Sequence, residues 1–172
     1  MKYLLDGTTT QRLGFRRMRE SDFDAWLPFF EDPSSTAYWQ GIPPDPQEAC
    51  RAQFDRIFQR YRQGLGGMNG LISRKTGALL GMAGLLVQEV DGHLELEIGY
   101  SLLPAARGRG YATEAALHCR NEAFRRRWAE SLISIIHVNN EPSMRVARQI
   151  GMQPEKDTVY KENPVRIFRI QK

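Results

Sequence analysis

The sequence predicts a mixed α/β fold built on a mostly antiparallel sheet, and three observations carry that expectation. Strand-like segments at Met68 to Ser73, Leu79 to Glu89 and Leu94 to Leu103 are joined by short turn signals, Lys75-Thr76-Gly77 and Asp91-Gly92, which implies an antiparallel meander. Amphipathic helical stripes and further strands lie on both sides of this meander. No internal repeat, low-complexity tract or long linker interrupts the 172 residues, a length that suits one domain spanning residues 1–172.

The elements follow in order. Leu13 and Phe15 alternate with polar neighbours, as a strand requires. Phe23, Trp26, Leu27 and Phe30 recur at helical spacing. Ser21 with Asp24 resembles a capping box, and Pro33 stops the helix soon after Asp32. Residues 31–46 read as a loop holding Pro33, Pro43, Pro44 and Pro46. Tyr38 and Trp39 inside it are candidates either to line a ligand cleft or to plug the core. A second helix carries Cys50, Phe54, Ile57, Phe58 and Tyr61 on one face and ends at Gly64. In the meander, Gly81 and Gly84 mark a bulge or a weak point. Pro104 stops its third strand, and a helix begins after Gly110. The small residues Ala112, Ala116, Cys119 and Ala123 form its packing stripe. Leu132 to Val138 reads as a buried strand. Asn139 to Pro142 turns into a short helix with Met144, Ala147 and Ile150, closed by Gly151, and residues 165–170 form a last strand. The order is β, α, α, β, β, β, α, β, α, β.

Composition excludes several classes. No run approaches the apolar length of a membrane span, and the N-terminus lacks the apolar region of a secretory signal, so the expected location is cytoplasmic, without membrane attachment. Cys50 and Cys119 have no CxxC spacing and read as reduced core thiols. His93, His118 and His137 share no metal-ligand spacing, so no metal site is expected. The net charge of +4 suits an anionic ligand. Arg125-Arg126-Arg127 reads as a solvated helix end, and no nucleic-acid partner is expected.

Chemistry concentrates in residues 99–117, GYSLLPAARGRGYATEAAL. A strand enters a Gly-rich basic turn that opens a helix. The first helical N–H groups have no intrahelical partners, and the helix dipole adds partial positive charge there. Gly108 and Gly110 let backbone amides approach an anion closely, and Arg107 and Arg109 add charge. The segment is a candidate phosphate cradle. It is no dinucleotide fingerprint, because Thr113 stands where the third glycine belongs, and it has no P-loop lysine.

Arg107-x-x-Gly110-x-Ala112 resembles the R/Q-x-x-G-x-G/A acyl-CoA motif of the GNAT N-acetyltransferase superfamily. The longer string from Glu97 to Ala115 resembles the Rim-type branch, which acetylates protein N-termini and other amines. Thr10 to Leu13 with Arg16 is similar to that branch's opening strand. Asn140-Glu141-Pro142-Ser143 followed by Ile150-Gly151-Met152 is similar to its N-x-x-S … G-F signature, with Met152 in place of Phe. The resemblance implies a GNAT-like central, mostly antiparallel mixed sheet with helices on both faces. It implies acetyl-CoA as cosubstrate, held by Arg107, Gly108, Arg109, Gly110, Tyr111, Ala112 and Thr113, by backbone groups near Leu102 and Leu103, and by Asn140 and Ser143.

A protonated amine cannot attack a thioester, so a base must act, and the tetrahedral oxyanion needs N–H donors. Glu97, on the strand leading into the cradle, is the first candidate base. Glu95 lies two residues away on the same strand face and is an alternative base or a substrate contact. The resemblance places a catalytic tyrosine of many relatives at Ala147, so that acid is missing, and Ser143 is the candidate to relay a proton to the thiolate. Tyr100 is a weaker candidate, because alternation turns it to the opposite face from Glu97. Tyr38, Trp39 and Glu95 are the candidate acceptor contacts. The expected function is acetyl transfer to a primary amine, first of all a protein or peptide N-terminal α-amine. The alternatives are a small-molecule amine acetyltransferase (polyamine, antibiotic or amino acid) and a non-catalytic acyl-CoA-binding module. A monomer and a homodimer are both compatible with the sequence.

Overall fold

A computed structural model describes residues 1–172. One seven-stranded sheet has the order β1-β2-β3-β4-β5-β7-β6. Its strands are β1 Leu13–Arg17, β2 Gly66–Ser73, β3 Leu79–Val90, β4 His93–Leu102, β5 Ser131–His137, β6 Gln153–Tyr160 and β7 Asn163–Gln171. The helices are α1 Phe23–Glu31, α2 Pro46–Gln63, α3 Tyr111–Arg125 and α4 Glu141–Gln149. All neighbours pair antiparallel except β4 and β5, which are parallel and meet at one register position, Glu97 opposite Ile133. No helix is long and apolar enough to cross a membrane.

Alternation along the strands sorts the core into two layers. Leu13, Phe15, Ala83, Leu85, Leu96 and Ile98 face α3 and α4, where Ala115, Ala116, Cys119 and Ala123 give the close approach that the alanine stripe predicts. Met82, on the other face of β3, packs with Trp26 and Phe30 of α1 and with Phe54 and Ile57 of α2. The mixed sheet with helices on both faces is therefore the observed architecture.

Three local expectations are corrected. Ser21 does not cap α1. The buried Asp22 carboxylate instead accepts the Arg19 N–H at 2.8 Å and both terminal nitrogens of Arg16 at 2.8 Å. The loop over residues 31–46 contains a 3₁₀ turn at Pro33–Thr36, and α2 starts at Pro46, capped by Asp45, because proline suits a first helical turn. Strand β6 was not expected. It is an edge strand exposed along most of its length, so no core face imposes apolar alternation on QPEKDTVY. The bulge expected near Gly81 is present, as the β2–β3 register shifts between Leu71 and Ile72, opposite Gly81 and Leu79.

The β4–β5 junction positions the site. Ser134 Oγ donates to Ile98 O at 2.8 Å, engaging a carbonyl on the β5 side of β4, and no register pair follows Glu97–Ile133. Beyond this point the strands diverge, and the gap opens the sheet from one face to the other.

Candidate active site

Two adjoining cavities meet at the β4–β5 gap. One, of about 310 Å³, is lined by Glu97, Gln88, Tyr100, Ser143, His137 and Tyr160, among others. The other, of about 470 Å³, is lined by Leu102, Arg107, Ala112, Pro142 and Ser143. Tyr38, Trp39, Tyr100 and Asn140 border both.

The second cavity runs beside the predicted cradle. Gly108 and Gly110 have φ of 76° and 80°, the left-handed region that glycine enters without penalty. The turn they make leaves the N–H groups of Gly108, Arg109 and Gly110 without an acceptor in the protein, followed by the free first-turn amides of α3. Arg12 braces the loop from β1's approach. Its Nη1 donates to Arg109 O at 2.8 Å, its Nε pairs with Glu114 at 2.6 Å, and its guanidinium lies 4.4 Å from the centre of the Tyr111 ring. Thr113 Oγ1 donates to Gln149 Oε1 at 2.6 Å, which ties α3 to α4 and leaves the Thr113 hydroxyl engaged. The donor set, unpartnered amides at a helix N-terminus with two arginines, fits a pyrophosphate.

The two backbone amides named at the end of β4, those of Leu102 and Leu103, point in different directions. The Leu103 N–H donates to Leu80 O at 3.0 Å, so it points to β3 and is already used. Alternation then directs the Leu102 and Tyr100 amides to the open gap. The Leu102 amide is therefore turned to the gap, whereas the Leu103 amide is engaged by Leu80 and the Leu103 side chain packs against the α1–α2 core.

The carboxylate of Glu97 lies in the first cavity. Gln88 Nε2 donates to its Oε2 at 2.8 Å. Burial raises the Glu97 carboxyl above its ordinary range, against the opposing pull of the Gln88 hydrogen bond, the Arg60 and Lys161 charges and the Ile135 N–H. Glu95 is differently placed. Arg169 grips it through two nitrogens at 2.6 and 3.0 Å and also pairs with Glu155 at 2.8 Å, and Glu95 is absent from the lining of the first cavity. The structure thus gives two carboxylates on one strand face different surroundings, Glu97 in the cavity and Glu95 in an ion pair.

Tyr100 does face away from Glu97, as alternation requires, yet it borders the same cavity because the gap passes through the sheet. Its hydroxyl donates to Ser143 O at 2.7 Å and accepts from Ser143 Oγ at 3.2 Å. Asn140 Oδ1 accepts the Ser143 N–H at 3.3 Å, capping α4. Burial pushes the Tyr100 hydroxyl upward. Ala147 is fully buried core, so no hydroxyl stands at that position.

On the acceptor side, Tyr38 stacks on His137 with ring centres 4.8 Å apart, and Trp39 packs on Phe29 and Phe30. Trp39 thus rests against α1 while staying partly exposed, and each ring borders the cavities. Sequence reading missed Gln88, Tyr160, His137 and Arg60. One signal was available for Gln88. The Asp91-Gly92 turn sets the register Gln88 opposite Glu95 and Leu86 opposite Glu97, which puts Gln88 diagonal to Glu97 on one face.

A glycine-rich, amide-lined turn thus lies beside a gap between parallel strands, with a part-buried carboxylate in that gap. The chain belongs to the GNAT acetyltransferase family: residues 12–153 match the family described as "Acetyltransferase (GNAT) domain". It is similar to the Bacillus subtilis "Uncharacterized protein YkkB", with 30% identity over 92% of each chain. Among solved structures, an acetyltransferase from Agrobacterium tumefaciens superposes with a TM-score of 0.82 at 24% identity, covering 100% of this chain and 98% of that one. The RimL ribosomal L7/L12 alpha-N-protein acetyltransferase in complex with coenzyme A has a TM-score of 0.73 at 18% identity, covering 96% and 97%. The Vibrio cholerae spermidine N-acetyltransferase in complex with CoA and spermine has a TM-score of 0.74 at 14% identity, covering 94% and 96%.

Proposed function

We propose that this acetyltransferase uses acetyl-CoA to acetylate a primary amine, and that its acceptor is a protein or peptide N-terminal α-amine. The observation that carries the reading is the junction itself: unpartnered amides from Gly108 to Gly110 on one side of the β4–β5 gap and the Glu97 carboxylate on the other. Arg107, Gly108, Arg109, Gly110, Tyr111, Ala112 and Thr113 hold the pyrophosphate end, and Leu102 N–H, Asn140 and Ser143 meet the rest of the carrier. The acetyl thioester supplies the activated acyl group. Glu97 takes the proton from the incoming ammonium, directly or through water, and the Tyr100 and Leu102 amides face the oxygen that gains charge. Ser143, with Tyr100 beside it, relays a proton toward the leaving sulfur.

The charge of the acceptor cavity supports a single amine over a polyamine. Glu97 is the one carboxylate in its lining, and Lys161 is present there too. A second cationic centre on the acceptor finds no partner. The small-molecule reading keeps its support from the likeness to a spermidine acetyltransferase, which extends to the fold. The protein acts in the cytoplasm on this reading.

The test is CoA-thiol release from acetyl-CoA against two acceptor pools, peptides with varied free N-termini and a panel of metabolite and drug-like amines. Release with peptides alone is expected. Release with small amines alone transfers the enzyme to the small-molecule class, and acetyl-CoA binding with silence in both pools supports a non-catalytic module.

A further inference from the structure

One side chain outside the family motifs, Gln88, bonds the base directly, and a second, Tyr160, bonds Gln88 in turn. Tyr160 Oη donates to Gln88 Oε1 at 2.9 Å, and Gln88 Nε2 donates to Glu97 Oε2 at 2.8 Å. These residues come from three strands. Gln88 is on β3, Glu97 on β4, and Tyr160 ends β6, 72 positions from Gln88 in sequence. We propose that Gln88 and Tyr160 are positioning residues for Glu97, a hydrogen-bonded chain that holds the carboxylate in one orientation within the acceptor cavity. This rests on the assignment of Glu97 as base.

The polarity of the chain is forced. An ionised carboxylate only accepts, so Gln88 must turn its NH₂ group to Glu97 and its carbonyl oxygen to Tyr160. Tyr160 must then be the donor. With the amide oxygen anchored, Gln88 cannot flip to present oxygen to the carboxylate, which would repel it. The hydroxyl of Tyr160 is pushed up to about 12 by burial and by the nearby Glu97 charge, so it stays protonated and the direction holds at neutral pH. The hairpin that delivers Tyr160 turns at Lys161 and Glu162, whose φ of 47° and 67° are those of a two-residue hairpin turn with both central residues left-handed. The turn brings Tyr160, Lys161 and Asn163 to the lining of the acceptor cavity.

Glu97 is faced from every neighbouring element. Arg60 comes from α2, Lys161 and Tyr160 from the β6–β7 hairpin, the Ile135 N–H from β5 and Tyr100 from β4. Arg60 is bound through Nη2 to Leu65 O at 3.0 Å and Val87 O at 2.5 Å, so it acts on Glu97 as a fixed charge without a direct bond. The Gln88 amide is therefore the side chain that directly bonds the carboxylate, and its loss removes a charge-assisted donor.

The experiment labels glutamate side-chain carboxyls with ¹³C and follows them by NMR from about pH 4 to about pH 9. Glu97 is assigned as the resonance missing in Glu97→Gln. In Gln88→Met the Glu97 midpoint moves to higher pH, and in Tyr160→Phe it moves the same way by less. With acetyl-CoA and the amine that turns over fastest in the two-pool assay, Gln88→Met lowers kcat/KM on the acid side roughly tenfold, with the KM for acetyl-CoA within about twofold of wild type. An unmoved Glu97 midpoint in both variants overturns the proposal, as does a loss of kcat/KM that is uniform across pH. If Gln88→Met does not fold, Tyr160→Phe decides alone by the same midpoint. The two readings fail separately. A wild-type pH–rate profile in Glu97→Gln removes Glu97 as base. Loss of turnover in Glu97→Gln with unmoved midpoints in the other variants removes only the Tyr160–Gln88 chain.

Discussion

The guanidinium of Arg107 reaches Asp32 and Ser35: its Nη1 lies 3.4 Å from Asp32 Oδ2, and its Nη2 donates to Ser35 Oγ at 2.7 Å. Arg107 belongs to the cradle loop, and Asp32 and Ser35 belong to the segment leading to Tyr38 and Trp39. The same side chain therefore touches the proposed cofactor site and the root of the acceptor loop. Arg107→Gln is expected to weaken acetyl-CoA binding roughly tenfold, about the worth of one charge-assisted contact. It is also expected to raise the acceptor KM. Calorimetric titration with acetyl-CoA and steady-state kinetics check both, and an unchanged acceptor KM separates the two sites.

Gly110 caps α3 at φ 80°, and a Cβ there lies 3.4 Å from the Arg12 guanidinium. Gly110→Ala is expected to destabilise the fold by about 1–2 kcal/mol through the left-handed backbone. Gly110→Asp adds negative charge where the pyrophosphate binds and lowers acetyl-CoA affinity by roughly a hundredfold. Thermal unfolding and acetyl-CoA titration of the two variants separate strain from repulsion. Intact affinity in Gly110→Asp removes the cradle assignment.

The raised Glu97 carboxyl links activity and stability in opposite directions. A carboxyl that titrates higher in the folded chain than in the unfolded chain favours folding while it is protonated. That contribution is present below the unfolded-state value and is lost as pH rises through the folded-state value. Glu97→Gln, permanently neutral, is therefore expected to raise Tm relative to wild type at pH near 8 more than at pH near 5, while kcat falls by about two orders of magnitude or more. Paired thermal scans at the two pH values check the sign.

Arg169 joins Glu95, Glu155 and Ser131 with little exposure of its own, 18% of the side chain. Burial of Glu95 against it makes this an ion pair whose loss leaves a largely buried charge without a partner. Arg169→Leu is expected to lower stability by about 2–4 kcal/mol, read by denaturant unfolding. A change below about 0.5 kcal/mol places the pair with ordinary surface bridges.

Cys50 and Cys119 are both fully buried, and burial raises the Cys50 thiol to about 11 and the Cys119 thiol further. Native protein is expected to resist iodoacetamide at pH near 8 and to label at both thiols on unfolding. Mass spectrometry before and after denaturation reads the result, and rapid native labelling of either thiol contradicts the core packing described.

Legibility in the sequence followed burial. Elements with one face on the core carried periodic signals, as in α3 with Ala116, Cys119 and Ala123, and were read correctly. Strand β6 carried none, because its exposed edge tolerates Glu155, Lys156 and Asp157. The cradle was legible because its chemistry is local: the glycines, the arginines and the helix start are consecutive residues, and backbone conformation at Gly108 and Gly110 follows from residue type. The sequence put Glu97 ahead of Glu95 only by its place nearer the cradle, because alternation assigns both to one face; the grip of Arg169 on Glu95, 74 residues away, was not legible.

By itself the sequence determined the element order of the two layers, the glycine-rich turn that opens α3 at Arg107–Thr113 and the resemblance to the acetyltransferase family, all of which are read from residues near one another in the chain. The tertiary structure alone decided which carboxylate lines the cleft and which is held in an ion pair, that the Leu103 amide is spent on Leu80, and that Tyr100 and Glu97 meet one cavity from opposite faces of a sheet. The last depends on where β4 and β5 part after Glu97–Ile133, the first on Arg169 of β7 and the second on Leu80 beside β4, contacts between segments distant in the chain that no local pattern encodes.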